Sequence, residues 1–191
     1  MFPILGIMAS QISGHLVTNS YESIETVTVG SGGTASVTFS SIAADWKHLQ
    51  LRGTIRGSRV STNDILGVQF NGDTSSSNYV SHRLIGDGSS ASSSYTASGA
   101  YSLNWVSDFP AANATASIFG VFVLDLLDYA TSNKNRVGRT LSGFDANGSG
   151  SSWLTSQLWM DTSSISSITF LPVFGAGFAE HSSFALYGIK G

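Results

Sequence analysis

The feature that most constrains this chain is its punctuation. Turn signals built from Gly, Asn, Asp and Ser recur about every 8–15 residues along the 191-residue sequence. Between them lie short segments rich in Val, Ile, Leu, Thr, Phe and Tyr, and no convincing amphipathic helix separates one from the next. That spacing belongs to antiparallel sandwiches and jelly rolls, not to alternating strand–helix folds. The closing segment Ser182 to Gly191 has the same character. Phe184, Leu186 and Gly188 alternate with Ala185, Tyr187 and Ile189, so the segment is expected to pair with neighbouring strands and not to fray in water.

Several segments read the same way. Ile24 to Val29 alternates, Gly30 to Gly33 supplies a turn, and Thr34 to Phe39 alternates again, which predicts a hairpin. His48 to Ile55 places Leu49, Leu51 and Ile55 on one face and Gln50, Arg52 and Thr54 on the other. Further strands are expected at Ile65 to Phe70, Tyr79 to Ile85 and Ala100 to Val106. The set continues with Arg136 to Phe144, Ser152 to Met160 and Ile165 to Leu171. Ser117 to Asp128 is the most hydrophobic run. It reads as a strand buried on both faces, with a helix as the rival. The Ser-rich stretch Ser89 to Ser98 reads as a surface loop.

The resulting expectation is all-β: a single antiparallel, jelly-roll-like β-sandwich over residues 21–191, preceded by an extended N-terminal arm over residues 1–20. The arm carries Phe2, Ile4, Leu5, Ile7, Met8, Ile12 and Leu16, interrupted by Pro3, Gly6 and Gly14. So apolar an arm should be covered, either by its own domain or by another subunit. It lacks the basic start of a signal peptide, since the first Lys or Arg is Lys47, and is expected to be retained.

Composition narrows the function classes. Charged residues make up 11% of the chain, well below the usual figure of about 25%. Polar surface must therefore come from Ser, Thr, Asn and Gly. The net charge is −3 and the Lys and Arg residues are scattered, so no basic groove for nucleic acid is expected. No apolar run reaches the length of a membrane-spanning helix. Cys is absent, which excludes disulfides and thiolate metal sites.

No pattern carries catalysis. Asp145-Ala-Asn-Gly-Ser-Gly150 begins like a calcium loop, but its twelfth position is Ser156 where a bidentate Glu is needed, so a glycine-rich hairpin turn is expected. Asp125 and Asp128 could be imagined as the two carboxylates of glycoside hydrolysis. A three-residue offset in an extended segment puts them on opposite faces, and they more plainly mark a strand end and its turn. His15, His48, His82 and His181 have no short metal spacing, and no cofactor is expected. Aromatic residues near loops and strand ends (Tyr79, Tyr95, Trp105, Trp153 and Trp159) have the chemistry of a glycan platform. Their competing role is to roof the ends of the sandwich.

Four stretches carry a family resemblance: NSYESIETVTVGSGGTASVTFSSIAADWKHLQLRG (19–53), VQFNGDTSSSNYVSHRLIGDGSS (68–90), VLDLLDYATSNKNRV (123–137) and SSFALYGIKG (182–191). In these the chain resembles a family of small structural proteins of tailed bacteriophages, of virion, tail or tail-fibre type. The resemblance implies a particle component, and with no catalytic pattern in the chain the expectation is a non-enzymatic virion protein, made in the host cytoplasm and displayed on the particle exterior. A symmetric oligomer, expected to be a trimer, would be held by β-edge and apolar-arm contacts to other capsid or tail subunits. Head decoration and a compact tail or fibre knob both fit. The alternative is a host-adhesion module that binds surface glycans through its aromatic and Asn/Ser-rich loops.

Overall fold

The computed structural model describes residues 20–175 and 177–191. The expected arm positions Phe2, Ile4, Leu5, Ile7, Met8, Ile12 and Leu16 lie outside the described residues. The chain forms β1 (Tyr21–Thr28), β2 (Val37–Phe39), β3 (His48–Ile55), β4 (Asn63–Phe70), β5 (Tyr79–Gly86) and β6 (Ala91–Thr96). It continues with β7 (Asn104–Pro110), β8 (Gly120–Leu127), β9 (Arg136–Asp145), β10 (Gly150–Trp159), β11 (Ile168–Pro172) and β12 (Ser183–Ile189). Two antiparallel sheets form a sandwich. One has eight strands in the order β1-β12-β3-β8-β9-β10-β5-β6, the other four in the order β2-β11-β4-β7.

The closing strand β12 lies between β1 and β3, with Phe184 and Leu186 turned into the core. Leu49, Leu51 and Ile55 of β3 are all buried. The fourth inward position of β3 is Gly53. A Cβ there would stand 2.3 Å from Cε1 of Phe122, so a glycine is what lets that ring lie across the strand. Phe122 then packs against Phe170 and Phe184, with ring centroids 5.4 and 6.1 Å away. Phe178 closes edge-on against Phe184 at 4.8 Å.

Eight strands span roughly 34 Å and four only about 14 Å at the usual strand spacing. The small sheet therefore cannot cover the large one, and loops complete the roof. At one end Trp46 lies over Gly188, where a Cβ would meet the indole at 2.3 Å. The buried Tyr129 donates its hydroxyl proton to the Ala43 carbonyl. At the other end Tyr101 and Trp105 pack with tilted rings, their centroids 5.1 Å apart.

The interior is divided. Beneath β3, β8 and β12 it is apolar. Beneath β9, β10 and β5 it is largely polar, presenting Thr140, Ser142, Thr155, Gln157, Ser81 and Arg83. Gln157 bonds to Thr140 and, like Thr155, to β7, Arg83 bonds to β6, and the buried Ser81 and Ser142 hydroxyls have no hydrogen-bond partner among the described residues. Gln157 Nε2 donates to Thr140 Oγ1 at 2.8 Å and to the Trp105 carbonyl at 3.3 Å, and Thr155 Oγ1 donates to the Val106 carbonyl at 3.3 Å.

Some local expectations are corrected. The residue 24–39 hairpin does not form: β1 pairs with β12 in the large sheet and β2 with β11 in the small one. Gly32 and Gly33 do adopt positive φ (88° and 74°), but the turn carries the chain between layers. Residues 91–96 form β6 and not part of a loop. Asp87 fixes the preceding reversal by accepting from the backbone N–H groups of Ser89 and Ser90 at 2.9 and 2.7 Å, which returns the chain along β5. β8 is not buried on both faces: Phe122, Leu124 and Leu126 point inward, while Val121 and Leu127 stand exposed on the outer face. The strand expected at 100–106 lies at 104–110, because residues 98–102 form a loop that bonds to Ser76, Ser77 and Gln69.

Candidate binding face

The outer face of the eight-stranded sheet carries the main surface feature. Register aligns Leu84 with Leu154, Leu154 with Leu141, and Leu141 with Val123, across β5, β10, β9 and β8. The result is an apolar row that crosses four strands. Leu84, Leu154 and Leu141 are 59%, 44% and 65% exposed, so this row faces water. Val121, Leu127 and Val137 add exposed apolar surface on the same face. Glycine-rich turns at 86–89 and 145–151 rise beside the row and bound a depression of about 960 Å³ that includes Val121, Val123, Leu141 and Gly143.

The turn at 145–150 is the expected β-hairpin. Asn147 and Gly148 take positive φ (59° and 102°), and Asp145 Oδ1 accepts from the Asn147 N–H at 2.8 Å. Among the described residues no three His, Asp or Glu side chains gather as metal ligands, and no helix is long and apolar enough to cross a membrane.

A polar row runs beside the apolar one. Tyr95, His82, Ser156, Arg139, Asp125 and Gln50 are aligned across six strands. Gln50 Nε2 donates to Asp125 Oδ1 at 2.6 Å, and Arg139 approaches Asp125 Oδ2 at 3.5 Å. At the far end His82 and Tyr95 stack with centroids 5.8 Å apart and planes at 24°. They border a depression of about 490 Å³ that also contains Leu84, Leu154, Ser156 and Arg139. Asp128 is not part of this row. It follows β8 at φ 52°, pairs with Lys134, and holds Lys47 at 3.0 Å. Hydrogen bonds from Lys134 and Lys47 pull its carboxyl down to about 2. The two aspartates therefore sit in separate ion pairs.

The five aromatics separate by burial. Only Tyr95 presents a largely free ring, 65% exposed. Tyr79, Trp153 and Trp159 are buried, so their faces cannot stack on a sugar, and the glycan-platform expectation is corrected for those three. Their work is structural. Trp159 Nε1 donates to Asp73 Oδ2 at 2.7 Å, and the Tyr79 hydroxyl donates to the Asp73 carbonyl at 2.9 Å. Burial pushes the Tyr79 phenol up to about 12. Trp105 is half-buried. Its ring and that of Trp153 enclose the Arg83 guanidinium, 4.5 and 5.3 Å from the two centroids.

The apolar row was not legible as a unit in the sequence, because Leu84, Val123, Leu141 and Leu154 belong to four separate segments. Outward Leu on alternating strands was the one available signal.

No family model and no curated protein matches the chain. Among solved structures it is similar to the galectin LEC-6 of Caenorhabditis elegans, at 11% identity over 84% of this chain and 94% of that one, with a TM-score of 0.34. It is also similar to a toad ovary galectin in complex with thio-digalactose, at 10% identity over 72% and 98%, with a TM-score of 0.22. At these values the likeness carries no functional argument.

Proposed function

We propose that this chain is a non-enzymatic structural protein of a tailed-phage virion, displayed on the particle exterior as a symmetric oligomer and held there by apolar and β-edge contacts. The residue-level resemblance in the four stretches above supports the class. The observation that carries the reading is the exposed in-register row Leu84, Leu154, Leu141 and Val123. A free monomer would leave that row in water, whereas a particle subunit would cover it. At roughly 25 cal/mol per Å², covering a few hundred Å² supplies several kcal/mol before the entropic cost of association. Repetition by symmetry multiplies the effect.

The test is incorporation. Purified particles should contain the chain by mass spectrometry, and its absence would end the virion reading. Particles assembled with Leu141→Lys and Leu154→Lys should lose it, although both positions are exposed and the variant should melt like the parent. Normal incorporation of that variant would remove the apolar row from the contact. Deleting residues 1–16 tests the arm in the same assay.

A second reading, a host-adhesion module for cell-surface glycans, is favoured by Tyr95. Its exposed ring borders a depression with His82, Ser156 and Arg139 beside it, a pairing of flat apolar face and hydrogen-bonding groups that suits a sugar. Tyr95→Ala should lower cell attachment while particles stay intact; unchanged attachment disposes of this site.

A further inference from the structure

Among the described residues the two sheets present four edge strands, and three of them are protected. β1 carries Glu22 and Glu25 and is bulged between Ser23 and Glu25. β2 is three residues long. β7 has the carbonyls of Trp105 and Val106 occupied by Gln157 and Thr155, and it ends on Pro110. These are the devices by which sheets avoid edge-to-edge pairing. β6 has none of them. Its sequence, Ala91-Ser-Ser-Ser-Tyr-Thr96, contains no charge and no proline, and its pairing with β5 runs without a bulge. Among the described residues its backbone makes no hydrogen bond outside that ladder.

From this asymmetry we infer that β6 is a self-association edge. It pairs antiparallel with β6 of a second copy of this chain, about a two-fold axis, to make one continuous sheet through both copies. Charge selects the occupant. A β6 pair brings only neutral side chains together, whereas a β1 pair would bring glutamates into proximity. Side-chain parity then fixes the register. Ser93 and Tyr95 share the outer face with their partners Leu84 and His82, while the buried Thr96 and half-buried Ser94 bond to the inward Arg83. An outer residue must face an outer residue across the new ladder, because a one-residue slip would turn each side chain to the wrong face. The axis therefore passes through a residue position, and the central candidates, Ser93 and Ser94, are both small and uncharged. In either case Tyr95 lies opposite a small residue of the other copy, Ala91 or Ser93.

The inference puts a two-fold pair in place of the expected trimer and rests on the assembly reading only for its biological setting. It concerns contact between copies, so it can fail while the virion role stands. An isologous contact of this kind closes at two copies.

The test uses the full chain in solution. Light scattering should give twice the chain mass at high micromolar concentration. Ser93→Lys places like charges on the exposed face across the axis and should return the mass to that of one chain, with an unchanged urea transition. Ser23→Lys on β1 should keep the doubled mass. Amide exchange at residues 91–96 should slow as concentration rises. A monomeric parent, a threefold mass, a Ser93→Lys variant that stays paired, or exchange independent of concentration would each overturn the inference.

Discussion

Arg83 and Trp105 form the tightest cation–ring contact among the described residues, 4.5 Å from guanidinium carbon to ring centroid. No carboxylate pairs with Arg83 among the described residues. Thr96 Oγ1 and Ser94 Oγ each accept from it at 3.0 Å, and burial lowers its pKa. A buried cation held by rings and hydroxyls is stabilised by dispersion and by the ring quadrupoles, against a desolvation cost.

Arg83→Ala should therefore lower stability by about 2–4 kcal/mol, because it empties the space between two indoles. Arg83→Met keeps the volume and removes the desolvation cost, so it should fall within about 1 kcal/mol of the parent. Urea unfolding of the two variants distinguishes them. Equal losses would mean that the charge, and not the packing, is what the site requires.

Acid should weaken the fold through Asp128. Its folded pKa, about 2, lies below the ordinary value of 3.8. A depressed folded pKa gives stability that is present above the unfolded pKa and lost as pH falls through the folded one. The loss attributable to this group should therefore run from about pH 4 down to about pH 2. Asp128→Asn tolerates the same positive φ and should flatten that part of the profile. A variant profile that parallels the parent's would refute the assignment.

Asp108 acts in the opposite sense. Burial raises its pKa, against hydrogen bonds from Asn63, Ser151 and the Phe109 backbone, and the nearby Asp64 raises it further. A raised folded pKa means that stability present below the unfolded value is lost as pH rises through the folded one. Asp108→Asn should thus gain on the parent between pH 4 and neutrality. The measurement is the difference in urea midpoint at the two pH values, and a constant difference would count against the burial argument.

Gly53→Ala should cost about 1–3 kcal/mol, the usual range for overpacking a filled core. The added methyl would stand 2.3 Å from the Phe122 ring and 2.9 Å from the Ser183 carbonyl. Gly30→Ala, with nothing within 4 Å of the new carbon, is the control and should be nearly silent. Similar losses at both positions would show that backbone freedom, not Phe122, sets the need for glycine.

Much of the architecture is legible in the sequence, and the reasons are local. Alternation in His48 to Ile55 and Ser182 to Ile189 fixes which side chains go inward, and Asn147-Gly148 encodes its own hairpin. What escaped depends on distant partners. Val29 and Val37 satisfy either layer, so the glycine turn between them could not say that β1 and β2 part company. Ser92, Ser93 and Ser94 look like loop residues until β5 supplies a ladder. Trp159 looked available for a ligand until Asp73, 86 positions away, claimed its N–H. The outer apolar row is a product of register across four strands, which no single segment carries.

The divided interior has a mechanical consequence. One end of the sandwich is cemented by phenyl rings whose cohesion is insensitive to small displacements. The other is pinned by hydroxyl, amide and guanidinium contacts that fail abruptly once stretched or wetted. Strain should therefore be released by peeling at the serine-lined end, leaving the phenylalanine-filled end as the part that survives to close the molecule again.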